Sequence, residues 1–203
     1  MRQPFVKYII IKVRKMRYIL ASKSPRRREL LSEIIPEFDI LTREVDESLP
    51  CGMHPREGVE VLAIRKGAAV VPDVSADALV ISSDTLVEYQ GVALGKPTDT
   101  EDAKRMLRTL SGVRHNVHTG VAVHYKGRCY SGVSSTEVEF LDLSEKTISD
   151  YVDSREPMDK AGAYGIQGLG GKLVKGYFGD YNTVVGLSLE LTERLIGEAL
   201  GDD

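Results

Sequence analysis

Apolar residues along this chain come in two rhythms, short unbroken runs and stripes at helical spacing, and the two alternate. RYILA at 17–21 and ALVISS at 78–83 are continuous runs, the pattern of strands buried on both faces. After the first run, Ser24-Pro25 supplies an N-cap and a proline at the first helical position. A helix is therefore predicted over 25–35, with Leu30, Leu31, Ile34 and Ile35 as its apolar stripe. A second strand is expected over 38–42, then a loop through Cys51-Gly52 and a helix over 55–71. Gln90-Gly91, between Leu86-Val87 and 92–94, marks a hairpin turn. Thr98 with Glu101 three residues on is a capping-box pattern, opening a helix to about Leu110 with Leu107 and Leu110 on its apolar side. The alternation over 117–125 and 129–141, on either side of Lys126-Gly127, predicts two long antiparallel strands. Ser144 caps a further helix, a glycine-rich loop follows, and 187–200 reads as the closing helix. Alternating α and β elements followed by a hairpin-rich middle predict one α/β unit with two lobes, a mixed sheet flanked by helices.

Composition narrows what such a unit does. The chain has 203 residues, 42% of them hydrophobic and 28% charged, and 27 basic against 30 acidic residues leave a formal net charge of -3. A near-neutral balance, no Trp and only 6% aromatics disfavour a nucleic-acid partner, which calls for a basic face and stacking platforms. A small anion in a local basic pocket stays open. Cys51 and Cys129 form neither a disulfide framework nor a metal-ligand spacing, and read as reduced thiols of a cytoplasmic protein. The opening MRQPFVKYIIIKVRKMRYIL is interrupted by Lys7 and Lys12 and lacks a small-residue cleavage site, so it reads neither as a signal peptide nor as a membrane span. Residues 1–15 admit three readings: a basic surface arm, an added edge strand, or an upstream start before Met16. The third is favoured because the first buried strand begins cleanly after it, which divides the chain into a 1–15 extension and a 16–203 domain.

Candidate chemistry begins on the first helix. One turn back from Leu30 and Leu31 stand Arg26 and Arg27, continuing the buried stripe to the helix N-terminus, while Arg28 falls off it toward solvent. Unpaired N–H groups, the helix dipole and two guanidiniums make a phosphate site, and the hydroxyls of Ser22 and Ser24 add to it. The plainer reading is a pair of solvated surface arginines. Asp84 follows the buried run and is expected at the carboxyl end of a central strand, where open α/β sheets build their sites. It suits a divalent metal or the proton of an attacking water; a loop cap is the functionless alternative. Lys66 shares a face with Leu62 and Val59, an arrangement that more often buries a stem and leaves the head in water. Lys96 is aimed by Pro97. The loop GAYGIQGLGG at 162–171 is neither a Walker A loop nor a dinucleotide fingerprint, and nucleophile-elbow and HExxH patterns are absent. His115 and His118, three apart in an expected strand, point to opposite faces and make no metal pair.

Five segments, Ser22-Lys23-Ser24-Pro25-Arg26-Arg27, Val45-Asp46-Glu47, Ser83-Asp84-Thr85, Gly95-Lys96-Pro97 and the run from Asp159 to Gly168, occur in an order that resembles the Maf family of nucleoside triphosphate pyrophosphatases. Each segment alone is weak; the ordered set, from about Met16 onward, is specific. The resemblance implies a two-lobed α/β fold of the Maf/ITPase-like kind with its site in the cleft between lobes. It implies hydrolysis of a nucleoside triphosphate between the α and β phosphates with Mg²⁺ or Mn²⁺, and a homodimer. By position Asp84 matches the family's proton acceptor, and Ser22, Arg26, Arg27, Lys66 and Lys96 match its phosphate-binding set. Glu47 matches a cleft carboxylate that joins Asp84 at the metal. Subfamily choice rests on Arg26, Thr85 and Gln167, which read as in the dTTP/UTP branch. The branch acting on 7-methyl-GTP tends to carry Trp, Gln and Glu at or near these places. Gln167 offers donor and acceptor to the O4/N3–H edge of thymine or uracil. Ser82-Ser83 stands where the family often has Gly-Ala. Two other readings remain, a nucleotide-binding regulator with little or no hydrolysis and a pyrophosphatase of noncanonical purine triphosphates.

Overall fold

The computed structural model describes residues 16–201, so the expected 1–15 extension lies outside the described residues. A seven-stranded mixed sheet runs β2-β1-β3-β5-β6-β7, with β4 added to the β1 side of β3. Strands β1 (Tyr18–Leu20), β2 (Asp39–Ile40) and β3 (Leu79–Tyr89) are parallel. The remaining pairings, of β4 (Val92–Leu94), β5 (Arg114–Tyr125), β6 (Arg128–Phe140) and β7 (Val174–Phe178), are antiparallel.

Helix α1 (Pro25–Ile34) starts as its sequence requires, with the Ser24 hydroxyl accepting from the Arg27 N–H and Pro25 in the first turn. Helix α2 (Pro55–Ala68) stops short of the expected 71, because Pro72 lacks the N–H that another turn needs. Helices α3 (Thr100–Leu110) and α4 (Glu145–Asp153) flank the second half of the sheet, and α6 (Leu189–Gly201) closes the chain. The cap of α3 differs from the expected Thr98/Glu101 box by one residue. Asp99 accepts the Asp102 N–H at 2.8 Å, and Asp102 reaches back to the Thr98 N–H at 3.0 Å. The carboxylate nearer the helix start wins over the hydroxyl. Strand β7 and the short helix α5 (Tyr181–Val185) were not expected. The first is half-exposed with a glycine inside it, and the second is too short to carry a period.

The largest difference concerns β3. Polar Ser82, Ser83, Asp84 and Thr85 read as the end of a strand, yet the strand continues to Tyr89 because β5 pairs with it without a break from Val80 to Glu88. Asp84 is therefore in mid-strand, not at a carboxyl end. The strand passes from one core to the other. Leu79 and Ile81 pack with Leu30 and Leu31 of α1 and Leu191 and Leu195 of α6. Val87 packs with Met106 and Leu107 of α3, Ile148 and Val152 of α4, and Phe140 of β6. The four polar residues bridge the two cores, and each core belongs to one lobe. Helix α2 covers the opposite face so closely that a Cβ on Gly120 would lie 2.3 Å from the Val59 carbonyl. This approach carries Lys66 to the level of Asp84.

Candidate active site

Along its β1 side, β3 is paired up to Ile81 by β1 and again from Val87 by β4. Between those points no strand covers that edge among the described residues, and the site is built in the opening. Arg27 fills part of it. Its guanidinium donates to the Ser83 carbonyl at 2.7 Å, the Gly186 carbonyl at 2.9 Å, the Thr85 hydroxyl at 3.2 Å and the Ser22 hydroxyl at 3.4 Å. Ser83 also donates to the Gly186 carbonyl at 2.8 Å, and Thr85 shares a hydrogen bond with Thr119 at 2.9 Å. Arg27 thus ties α1, β3 and the end of α5 into one floor. Burial pushes its guanidinium down from the usual range, opposed by the charge of Asp84. Arg26, expected on the same stripe, is only half-buried and faces the other lobe, 3.8 Å from Asp159. Arg28 is exposed, as its position on the helix requires.

Strand alternation sends Asp84 to the face covered by α2. There the Lys66 ammonium bonds Asp84 Oδ1 and Glu47 Oε1, the latter at 2.9 Å. Its helical spacing alone would leave the Lys66 head in water, while the resemblance puts it at the site; it lines the cleft and ends between two carboxylates. Glu47 is 59% exposed, but its loop is held from α2, where Arg65 donates to the carbonyls of Asp46 and Ser48 at 3.1 and 2.6 Å. The hydrogen bond from Lys66 holds the Glu47 carboxyl below the usual carboxylate range.

A cleft of about 1480 Å³ runs from this floor to the second lobe. Ser22, Arg26, Arg27, Glu47, Lys66, Asp84, Thr85, Lys96 and Gln167 all line it, so the structure brings every sequence-selected site residue together. Thr85 sits at the floor with its hydroxyl committed to Arg27 and Thr119, whereas Lys96 and Gln167 are exposed on the far wall. Glu156, Asp159 and Lys160 also line the cleft and were not assigned roles from sequence. Lys160 bonds Asp159 at 2.6 Å, next to the Arg26 contact. Membership of the fifth segment could have drawn attention to Asp159 and Lys160, whereas Glu156 lies just before that segment and carries no such signal.

Two hard oxygen donors meeting at one positive charge fit Mg²⁺ or Mn²⁺, and Asp84 and Glu47 are the residues that would hold it. Among the described residues no group of three or more His, Cys, Asp or Glu is arranged around a metal position. Phosphate oxygens and water would have to complete the coordination shell. The histidines stand apart from the cleft floor. His115 bonds the Tyr164 hydroxyl at 2.8 Å, and His118 bonds Ser135 at 2.7 Å on the opposite face of the sheet. Both cysteines are free and exposed, and no helix among the described residues is long and apolar enough to cross a membrane.

Comparison with known proteins gives the family and the fold. The description of the Maf-like protein family matches residues 17–199. A dTTP/UTP pyrophosphatase of Vibrio cholerae is 48% identical over 178 residues, 88% of this chain and 95% of the relative. One from Bacillus velezensis is 46% identical over 182 residues, 90% of this chain and 96% of the relative. Among solved structures, the Staphylococcus aureus Ham1 protein shares the fold at a TM-score of 0.50 and 15% identity, covering 92% of this chain and 100% of that one.

Proposed function

The chain belongs to the family of Maf-like proteins, and from that premise we propose that it hydrolyses dTTP and UTP between the α and β phosphates, releasing the nucleoside monophosphate and pyrophosphate. The observation that carries this reading is the convergence of Asp84, Lys66 and Glu47 on one side of a single cleft with Arg26, Lys96 and Gln167 around it.

Each side chain has a distinct task in it. Arg26, Lys66 and Lys96 take up charge on the phosphates, joined by Ser22 and the backbone N–H of Arg26 in the first turn of α1, where Pro25 has no N–H and those of Arg27 and Arg28 are bonded to Ser24. Arg27 commits four of its five N–H donors to Ser83, Gly186, Thr85 and Ser22, so it chiefly fixes the floor and contributes its charge from there. Lys66 engages Asp84 Oδ1, and we assign Oδ2 to the water that attacks the α-phosphorus, whose proton Asp84 accepts. A divalent ion held by Asp84 and Glu47 would supply Lewis-acid polarisation of the phosphoryl oxygens. Gln167 meets the base edge with both a donor and an acceptor. Action in the cytoplasm and as a homodimer belongs to the same reading and rests on family likeness.

The test is a chromatographic assay with Mg²⁺ or Mn²⁺ against dTTP, UTP, CTP, GTP, ITP and 7-methyl-GTP, scoring monophosphate and pyrophosphate. Pyrophosphate should be released from dTTP and UTP, and Asp84→Asn should lower kcat about 100-fold or more while leaving the protein folded. A near-wild-type rate in that variant would remove Asp84 from the chemistry. Tight binding without turnover by the wild type would make the protein a nucleotide sensor.

A further inference from the structure

Gln167 stands on an exposed turn, and a side chain that reads a base edge has to be presented by a backbone that holds still. One carboxylate holds this turn. Glu156 accepts the backbone N–H groups of Leu169 and Gly170, each at 3.0 Å, and the Tyr151 hydroxyl at 3.1 Å. The Tyr151 oxygen in turn accepts the Gly165 N–H at 3.2 Å. The backbone on both sides of Gln167 is thereby tied to the end of α4. Arg155, with φ 64 in the left-handed region, turns the chain out of that helix so that the next side chain points back at the loop. The glycines follow from this grip. A Cβ on Gly168 would lie 2.9 Å from Glu156 Oε2, and one on Gly170 would lie 2.5 Å from the Tyr151 oxygen. The turn is anchored to both lobes as well, since Ile166 packs on the first core while Tyr164 and Leu173 belong to the second.

We propose that Glu156 is a positioning residue for base selection: its carboxylate, backed by Tyr151, fixes the 165–170 turn so that Gln167 presents its amide to the thymine or uracil edge. This rests on the reading of the cleft as a dTTP/UTP site. Hydrogen bonds from backbone N–H to an ionised carboxylate are the strong kind, and a glutamine in its place turns one acceptor into a donor facing donors. The loss falls on the turn and not on the phosphate-binding floor across the cleft.

The experiment is a double-mutant cycle of Glu156→Gln and Gln167→Ala in the full chain, with kcat and KM measured for dTTP and UTP and thermal unfolding recorded for each variant. Glu156→Gln should raise KM about tenfold and change kcat by less than about twofold. The same substitution in the Gln167→Ala background should change KM by less than about twofold, because the side chain it serves is gone. Tyr151→Phe should act in the same direction with a smaller effect, and it decides the matter if Glu156→Gln fails to fold. An unchanged KM in the folded single variants would overturn the inference. So would an equal penalty with and without Gln167, or a loss confined to kcat. Wild-type protein that turns over neither dTTP nor UTP would overturn the function reading instead.

Discussion

Arg26 and Arg27 look alike in the chain and do different things in the fold. Spacing places both on the inward stripe of α1, but only Arg27 meets the uncovered edge of β3, where it satisfies two backbone carbonyls. Its removal leaves the Ser83 carbonyl without its charged donor, while the Gly186 carbonyl keeps the Ser83 hydroxyl, and an unmet buried polar group costs more than the bond was worth. Arg27→Ala is therefore expected to lower stability by about 3 kcal/mol in urea unfolding, with activity lost as well. Arg26→Ala, which breaks only a 3.8 Å contact with Asp159 of 68% exposure, should change stability by less than about 0.5 kcal/mol while still weakening nucleotide binding. Asp84 and Lys66 show the same limit. Their residue types and places beside apolar runs marked them as candidates, but that one ammonium would join Asp84 to Glu47 depends on residues far apart in the chain. Nothing local in the sequence encodes that distance.

Elements with strong local rules were legible, and those ruled by partners were not. Helix α1 starts where a capping serine and a proline tell it to, and both long strands around Lys126-Gly127 form within a few residues of the expected bounds. The cap of α3 was misplaced because Thr98, Asp99, Glu101 and Asp102 satisfy the same pattern one residue apart. The structure makes a clear choice between them. Asp99→Ala should cost about 1 kcal/mol, a drop of roughly 3 °C in Tm, because it frees the Asp102 N–H. Glu101→Ala loses only an exposed pair with Lys104 and should shift Tm by less than about 1 °C. Strand β3 was cut short for a different reason. Four polar residues in a row carry no strand signal of their own, and it is the ladder with β5 that holds them extended.

At the scale of the whole molecule, two of three hydrophobic clusters among the described residues share one set of strands, and the polar seam between those two is where the cleft opens. The second core holds a histidine whose charge it does not accommodate. His115 is buried edge-on against Phe140 and Tyr164, with ring centroids 5.0 and 5.4 Å away, and its Nδ1 has no partner among the described residues. Burial drives its pKa down from 6.5 to about 4. Below pH 6.5 the unfolded chain takes up a proton that the folded one refuses until about pH 4, so stability falls as pH drops through that window. The loss should be on the order of 3 kcal/mol between pH 7 and pH 4, with His118 and His124, also lowered by burial, acting in the same sense. Urea unfolding across this range should give a visibly shallower slope for His115→Gln than for the wild type. An identical slope would mean that His115 takes up its proton as readily in the folded state as in the unfolded one. The order of the strands and helices other than β7 and α5, the cap and stripe of α1 and nine cleft residues from Ser22 to Gln167 follow from periodicity, capping chemistry and ordered segments, all carried by short stretches of chain. The mid-strand seat of Asp84, the gap that Arg27 fills and the carboxylate clamp behind Gln167 arise where separate elements meet. Those distances are set by the packing of two cores on shared strands, which no short stretch of sequence contains.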